Sequence, residues 1–216
     1  MQRQGIAPMA GQGSPMRGMV EVMEEVESAI QSENPTVNLQ LLARACHLGA
    51  QFITSFGIPF KLAAIEVKNK ANDMEEAYQN YNTVEVMLDY EITNGLAREN
   101  SSHTRFLLRM KRAADLLRVF FQEILAREGD SLVPPFKKAY DEVFGAHHGE
   151  TTKIVVDYAM EFMMDKSDLF TLIDDDDENA AREMMKRYIS ASTCVCQHIE
   201  QLYRSTTVGE ELLRMI

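Results

Sequence analysis

Basic side chains recur at one-turn spacing in the segment HTRFLLRMKRAADLL, which starts at His103. Arg105 and Arg109 are four residues apart, so on a helix both guanidinium groups project from nearly the same face. Arg112 lies seven residues after Arg105 and extends the same ridge. Guanidinium forks bind phosphate through paired hydrogen bonds. The spacing therefore lets both groups converge on one anion, although solvated surface charge is the commoner explanation of such a pair taken alone.

A carboxylate, an amine and an imidazole stand in two other segments. Glu66 and Lys70 repeat the spacing of four residues in KLAAIEVKNK, and His148 follows a predicted helix end in AYDEVFGAHHG. A carboxylate accepts hydrogen bonds, and a neutral imidazole can donate one. A lone histidine is more often a core or capping residue, and an exposed acid-base pair is more often solvated. Taken singly, these residues do not distinguish a binding site from ordinary surface.

The order of these pieces is more specific than any one of them. E-x-x-x-K is followed by H-T-R-x-x-L-R-x-K-R and then by A-H-H-G, and this arrangement resembles the glycolipid-transfer-protein family over residues 41–173. The resemblance is strongest to the branch that carries ceramide-1-phosphate. It implies an all-α, two-layer sandwich of about eight helices that encloses an apolar lipid pocket. The implied activity is sphingolipid binding and transfer between membranes, without catalysis, cofactor or metal.

The resemblance also implies a role for each matched residue. Glu66 stands where the family has an aspartate that accepts the ceramide amide N–H, and His148 matches the histidine that donates to the amide carbonyl. Lys70, Arg105 and Arg109 match the cations of the phosphate-binding branch. At the position of Arg109 the sugar-binding branch has a tryptophan on which the sugar stacks, and this chain contains no Trp. A phosphate headgroup is therefore favoured over a sugar.

Three positions depart from the family pattern. Glu66 is one methylene longer than the usual aspartate, Ala113 replaces a glycine, and Glu150 replaces the tryptophan that follows H-G. Tryptophan suits the membrane interface, so its absence weakens the expectation of membrane docking. Two alternatives stay open: a glycosylceramide carrier of the same fold, and a lipid-sensing helical adaptor without transfer activity.

Helices must position these side chains, because apolar residues recur at helical spacing along most of the chain. The clearest helix carries both arginines and has an apolar stripe that includes Phe106, Met110, Leu117 and Ile124. The predicted helices span 20–30, 37–56, 60–78, 83–92, 102–127, 136–144, 147–164, 168–173 and 179–203. The expected apolar pocket residues are Phe52, Phe56, Leu62, Leu108, Phe120 and Val156.

Composition bounds the remaining possibilities. The 216 residues carry a net charge of −11, which opposes binding to nucleic acid and to anionic membranes in general. We expect a disordered tail over residues 1–18 and a single domain over 19–216. Three cysteines without a metal-binding spacing indicate a reducing compartment, and hence the cytoplasm. The expected protein is a monomer that contacts membranes transiently and has no catalytic motif.

Overall fold

The computed structural model describes residues 14–174 and 177–215, which form ten α-helices and one short 3-10 helix over Ile58–Phe60. Within these residues the structure has no β-strand, which confirms the predicted all-α class. The helices are α1 Pro15–Ile30, α2 Leu39–Thr54, α3 Lys61–Asn80, α4 Val84–Thr93, α5 His103–Ala126, α6 Val133–Val143, α7 Glu150–Met160, α8 Lys166–Ile173, α9 Glu178–Arg204 and α10 Gly209–Arg214.

Five helices close a ring around the core of the sandwich. Helix α1 packs against α2 and α9, α2 packs against α3, and α5 packs against both α3 and α9. Helix α6 packs on α5, whereas α8 and α10 pack on α9. The ring brings α3, which carries Glu66 and Lys70, against α5, which carries both predicted arginines.

Helix α5 is central because it has both a buried apolar face and a defined start. Ser102 caps the helix, and its side chain accepts a hydrogen bond from the Arg105 amide. Toward its other end, Phe121 packs edge-on against Phe52 of α2 and Tyr188 of α9. These aromatic contacts fix α5 within the ring, while its first turns present polar residues beside α3.

The first helix begins before residue 20, where the sequence pattern predicts its start. Helix α1 begins at Pro15, whose fixed φ suits the first turn of a helix, and Met16 is completely buried. Burial of Met16 draws the chain into the helix before the expected start. Residues 1–13 of the predicted tail lie outside the described residues.

Two differences concern short helices. The helix predicted over 147–164 is shorter, because residues 144–149 form turns and Gly149 precedes the first residue of α7. Helix α10 was not predicted, since six residues are too few to show a helical period. Leu212 of α10 is buried against the core, which explains why this short segment is ordered.

Candidate anion-binding site

The predicted pair on α3 forms an ion pair in the structure. Lys70 Nζ donates to Glu66 Oε2 at 2.9 Å and to the Glu66 carbonyl oxygen at 3.2 Å. The Lys70 residue is only 9% exposed, whereas the Glu66 carboxylate faces solvent. The hydrogen bond from Lys70 lowers the pKa of Glu66, and the charges of Lys70 and Arg109 lower it further. Glu66 is therefore an ionised acceptor at neutral pH.

The two arginines lie on successive turns of α5, as their spacing predicts. Arg105 donates to the side-chain oxygen of Asn100, and the Arg109 guanidinium lies 5.6 Å from the centre of the Phe106 ring. Helix α5 packs against α3, and the charge of Arg109 adds to the lowering of the Glu66 pKa by Lys70. Arg105 shares the face of Arg109, one turn closer to the start of α5.

His148 lies in the turn between α6 and α7. Its Nδ1 is 2.8 Å from the Tyr140 hydroxyl, and its ring stacks on Phe144 with centroids 4.7 Å apart. Burial lowers the pKa of His148, and the charges of His147 and Arg112 lower it further. The imidazole is therefore neutral at physiological pH. When Tyr140 donates to Nδ1, the ring proton is on Nε2, which can then donate to a ligand carbonyl.

Arg112, which the sequence indicated only as an extension of the basic ridge, is a buried cation of α5. It is 7% exposed, and Nη2 donates to the Leu213 carbonyl at 2.9 Å. Burial lowers the pKa of Arg112, and the charge of Arg109 lowers it further. The spacing of Arg112 from Arg105 indicated this position, but no local signal indicates the contact with α10.

The expected apolar pocket residues do not form one open cavity surface. Phe52, Leu108 and Phe120 are buried in the core, and Phe56 packs against it. Val156 is half-buried. Leu62 is 69% exposed and is not enclosed by the neighbouring helices. Leu62 precedes the buried Ala64 by two residues, which is a rotation of about 200° around the axis of α3. Its side chain therefore points away from the buried face of the helix.

Two cavities of about 460 and 550 Å³ are present, and charged side chains dominate the walls of both. The first borders the site through Arg112 and His147, and the second lies beyond the end of α5. Across residues 14–174 and 177–215, no group of three His, Cys, Asp or Glu side chains could hold a metal ion. Nor does that part of the chain contain a helix long and apolar enough to span a bilayer.

The all-helical architecture, in which the helix of Glu66 and Lys70 packs against the helix of Arg105 and Arg109, is the fold of the glycolipid-transfer-protein class. The family described as glycolipid transfer protein matches residues 37–175, and this chain belongs to it.

Among its relatives, accelerated cell death 11 of Arabidopsis thaliana is 32% identical over 196 residues, which cover 90% of this chain and 95% of that protein. A crystal structure of a mutant of that protein, complexed with C12 ceramide-1-phosphate, matches with a TM-score of 0.86 and 31% identity. The match covers 92% of this chain and 98% of that one.

Human ceramide-1-phosphate transfer protein, in complex with 12:0 ceramide-1-phosphate, matches with a TM-score of 0.80 and 18% identity. This match covers 92% of the present chain and 99% of the human one, and at this identity it shows the shared fold alone.

Proposed function

We propose that this protein binds a phosphorylated sphingolipid, most directly ceramide-1-phosphate, and carries it between membranes. The observation that carries the proposal is the Lys70–Glu66 ion pair with Arg109 close by on the neighbouring helix. The Arabidopsis relative, in complex with ceramide-1-phosphate, supports the choice of ligand. No catalytic step is part of this function.

Two sets of side chains bind the polar part of the lipid, one at the phosphate and one at the ceramide amide. The phosphate binds Lys70, Arg105 and Arg109, because planar guanidinium groups orient its oxygens and the ammonium adds a point charge. The ceramide amide binds Glu66 through its N–H and His148 through its carbonyl. An unpaired amide group in a partly dry site would cost about 1 to 3 kcal/mol, so both contacts matter for affinity.

The lipid chains enter the space between the helices, and the interior must rearrange to admit them. Met16, Met19 and Met23 of α1 are all buried in the core that α1 shares with α2 and α9. Methionine side chains are flexible and adapt to irregular apolar surfaces. The proposed pocket therefore opens by separating side chains that pack together in the core.

An exposed apolar surface supports transient contact with membranes. Ile154, Val155 and Tyr158 of α7 and the following Phe162 are each at least half exposed. Tyr158 and Phe162 pack against each other with ring centroids 5.0 Å apart. Because the net charge is −11, docking relies on apolar insertion rather than attraction to anionic lipid.

The proposed state is a cytoplasmic monomer. Cys46, Cys194 and Cys196 are free thiols, which suits a reducing compartment. A carrier that shuttles a single lipid needs no second subunit to complete the site, since the predicted polar residues all come from one chain.

Native mass spectrometry of the purified protein, after incubation with mixed ceramide-1-phosphate and glucosylceramide vesicles, tests the ligand. We expect a 1:1 complex with ceramide-1-phosphate. Retention of glucosylceramide alone would favour the sugar-carrying alternative. Failure to retain either lipid would favour an adaptor with a closed interior.

A further inference from the structure

The first turn of α5 is held by a buried carboxylate from α4. The two carboxylate oxygens of Glu91 accept hydrogen bonds from the backbone amides of His103 at 3.0 Å and Thr104 at 2.9 Å. Glu91 is only 4% exposed. A carboxylate at a helix start satisfies unpaired amides and interacts favourably with the helix dipole. This contact fixes the turn from which Arg105 projects.

A second contact joins the same turn to α3. His103 Nδ1 lies 2.9 Å from Asp73 Oδ2, and both side chains are largely buried. Asp73 follows Lys70 by three residues and Glu66 by seven, so all three lie on one face of α3. The His103–Asp73 pair therefore connects the helix of Glu66 and Lys70 to the helix of Arg105.

The surroundings of His103 favour its protonated form. The hydrogen bond to Asp73 raises the pKa of His103 against the opposing effect of burial, and the charges of Asp73, Glu91 and Glu76 raise it further. Tyr81, at the end of α3, places its ring 6.3 Å from the imidazole. As imidazolium, His103 neutralises two carboxylates that hold α5 in place.

We propose that His103 is a positioning residue for headgroup recognition, which holds α3 and α5 in the register that lets Lys70, Arg105 and Arg109 bind one phosphate. Its side chain acts through Asp73 and does not itself contact the lipid. The inference rests on the proposed function, because it concerns the geometry of the same site. Loss of the imidazolium would loosen the junction of the two helices and weaken phosphate binding.

The test is a titration with dodecanoyl ceramide-1-phosphate in phosphatidylcholine vesicles. We expect His103→Gln and Asp73→Asn each to weaken binding about tenfold, and the double variant to be no weaker than either single one, as for two partners of one contact. The matched control is His47→Gln, because His47 forms a similar 2.9 Å pair with Glu75 that joins α2 to α3. This control should bind as the wild type does.

Two further readouts separate positioning from general stability. Octanoyl ceramide lacks the phosphate, so its binding should change little in His103→Gln. Between about pH 6 and pH 8.5, wild-type affinity should fall toward that of His103→Gln as the imidazole loses its proton. Protonation of the lipid phosphate changes the affinities of the wild type and of His103→Gln alike. It therefore cancels in the ratio of the two affinities.

The outcomes distinguish this inference from the proposed function. If the wild type binds ceramide-1-phosphate and both His103→Gln and Asp73→Asn bind equally well at every pH, the positioning role is wrong. Equal losses for ceramide and its phosphate would also overturn it, since they indicate a general structural effect. If His103→Gln does not fold, as judged by circular dichroism, Asp73→Asn decides the question. Absence of wild-type binding would defeat the proposed function, and this inference with it.

Discussion

Lys70 Nζ lies 2.9 Å from Glu66 Oε2 and also donates to the Glu66 backbone carbonyl. The residue proposed for the ceramide amide and a residue proposed for the phosphate are therefore partners in one ion pair. An ammonium group has three protons, so Lys70 can contact Glu66 and a phosphate oxygen together. Binding of the ceramide amide and binding of the phosphate are therefore coupled through this pair, and a change in either residue affects both contacts.

Replacing Glu66 by Gln should affect a neutral lipid more than a charged one. Glu66→Gln keeps an acceptor for the amide N–H but replaces a charge-assisted hydrogen bond with a neutral one, which costs about 1 kcal/mol. It also frees Lys70 to interact fully with phosphate. We expect roughly fivefold weaker binding of octanoyl ceramide and a smaller loss for ceramide-1-phosphate, measured by vesicle titration. Glu75→Gln on the same helix is the control, because Glu75 pairs with His47 of α2 and not with a residue of the site. Equal losses for the two lipids would contradict the coupling.

Arg109→Ala should remove headgroup binding while leaving the fold nearly unchanged. A charged hydrogen bond contributes about 1.5 to 3 kcal/mol, which corresponds to roughly ten- to a hundredfold in affinity for ceramide-1-phosphate. The contact with Phe106 contributes only about 0.5 to 1 kcal/mol to stability, so the urea midpoint should shift little.

The matched control for this substitution is Arg118→Ala, because Arg118 pairs with Asp115 and lies about two and a half turns beyond Arg109 on the same helix. Arg109→Lys should give intermediate affinity, since an ammonium lacks the planar fork. Unchanged affinity in Arg109→Ala would reject the assignment of this residue to the phosphate.

The long helices and the order of the site residues could be predicted because both depend on local spacing. Helix α5 has an unbroken apolar stripe over more than five turns, and its start at Ser102 has a recognisable cap. The spacing of Arg105 and Arg109 places them on one face of the helix, and this does not depend on how the other helices pack. The family resemblance then connected these residues to Glu66 and Lys70, which lie on a different helix.

Contacts between side chains of different structural elements could not be predicted in this way. Tyr140 meets His148 across a turn, and Arg112 reaches the Leu213 carbonyl of a helix too short to show a period. Leu62 was expected in the pocket because it is apolar, but the register of α3 turns it to solvent. Which apolar face is buried depends on the neighbouring helices, and local sequence does not contain that information.

The stability of the protein should depend on pH through His103. Because its folded-state pKa is raised, His103 contributes its full stabilisation below about pH 6.5, the ordinary histidine value, and loses it as pH rises through the folded-state pKa. The difference in free energy of unfolding between wild type and His103→Gln should therefore be larger near pH 6 than near pH 8.5. Urea denaturation at both pH values measures this difference. A difference that grows with pH would have the wrong sign for a protonated His103.

The exposed aromatic pair at the end of α7 should matter for transfer and not for binding. Replacing Tyr158 and Phe162 together by Ser removes apolar surface that we assign to membrane docking. We expect the rate of transfer between vesicles to fall several-fold, with the affinity for micellar ceramide-1-phosphate unchanged. Val86→Ser removes an exposed apolar side chain from α4 and serves as the control. A transfer rate equal to that of the control would place docking elsewhere.

The central claim is that this site selects a phosphorylated sphingolipid, and an intervesicle transfer assay tests it most directly. The assay compares ceramide-1-phosphate, glucosylceramide and phosphatidic acid as cargo under the same conditions. Ceramide-1-phosphate should be transferred fastest, because glucosylceramide lacks the phosphate for Lys70 and Arg109, and phosphatidic acid lacks the amide for Glu66 and His148. Transfer of glucosylceramide alone would contradict the account.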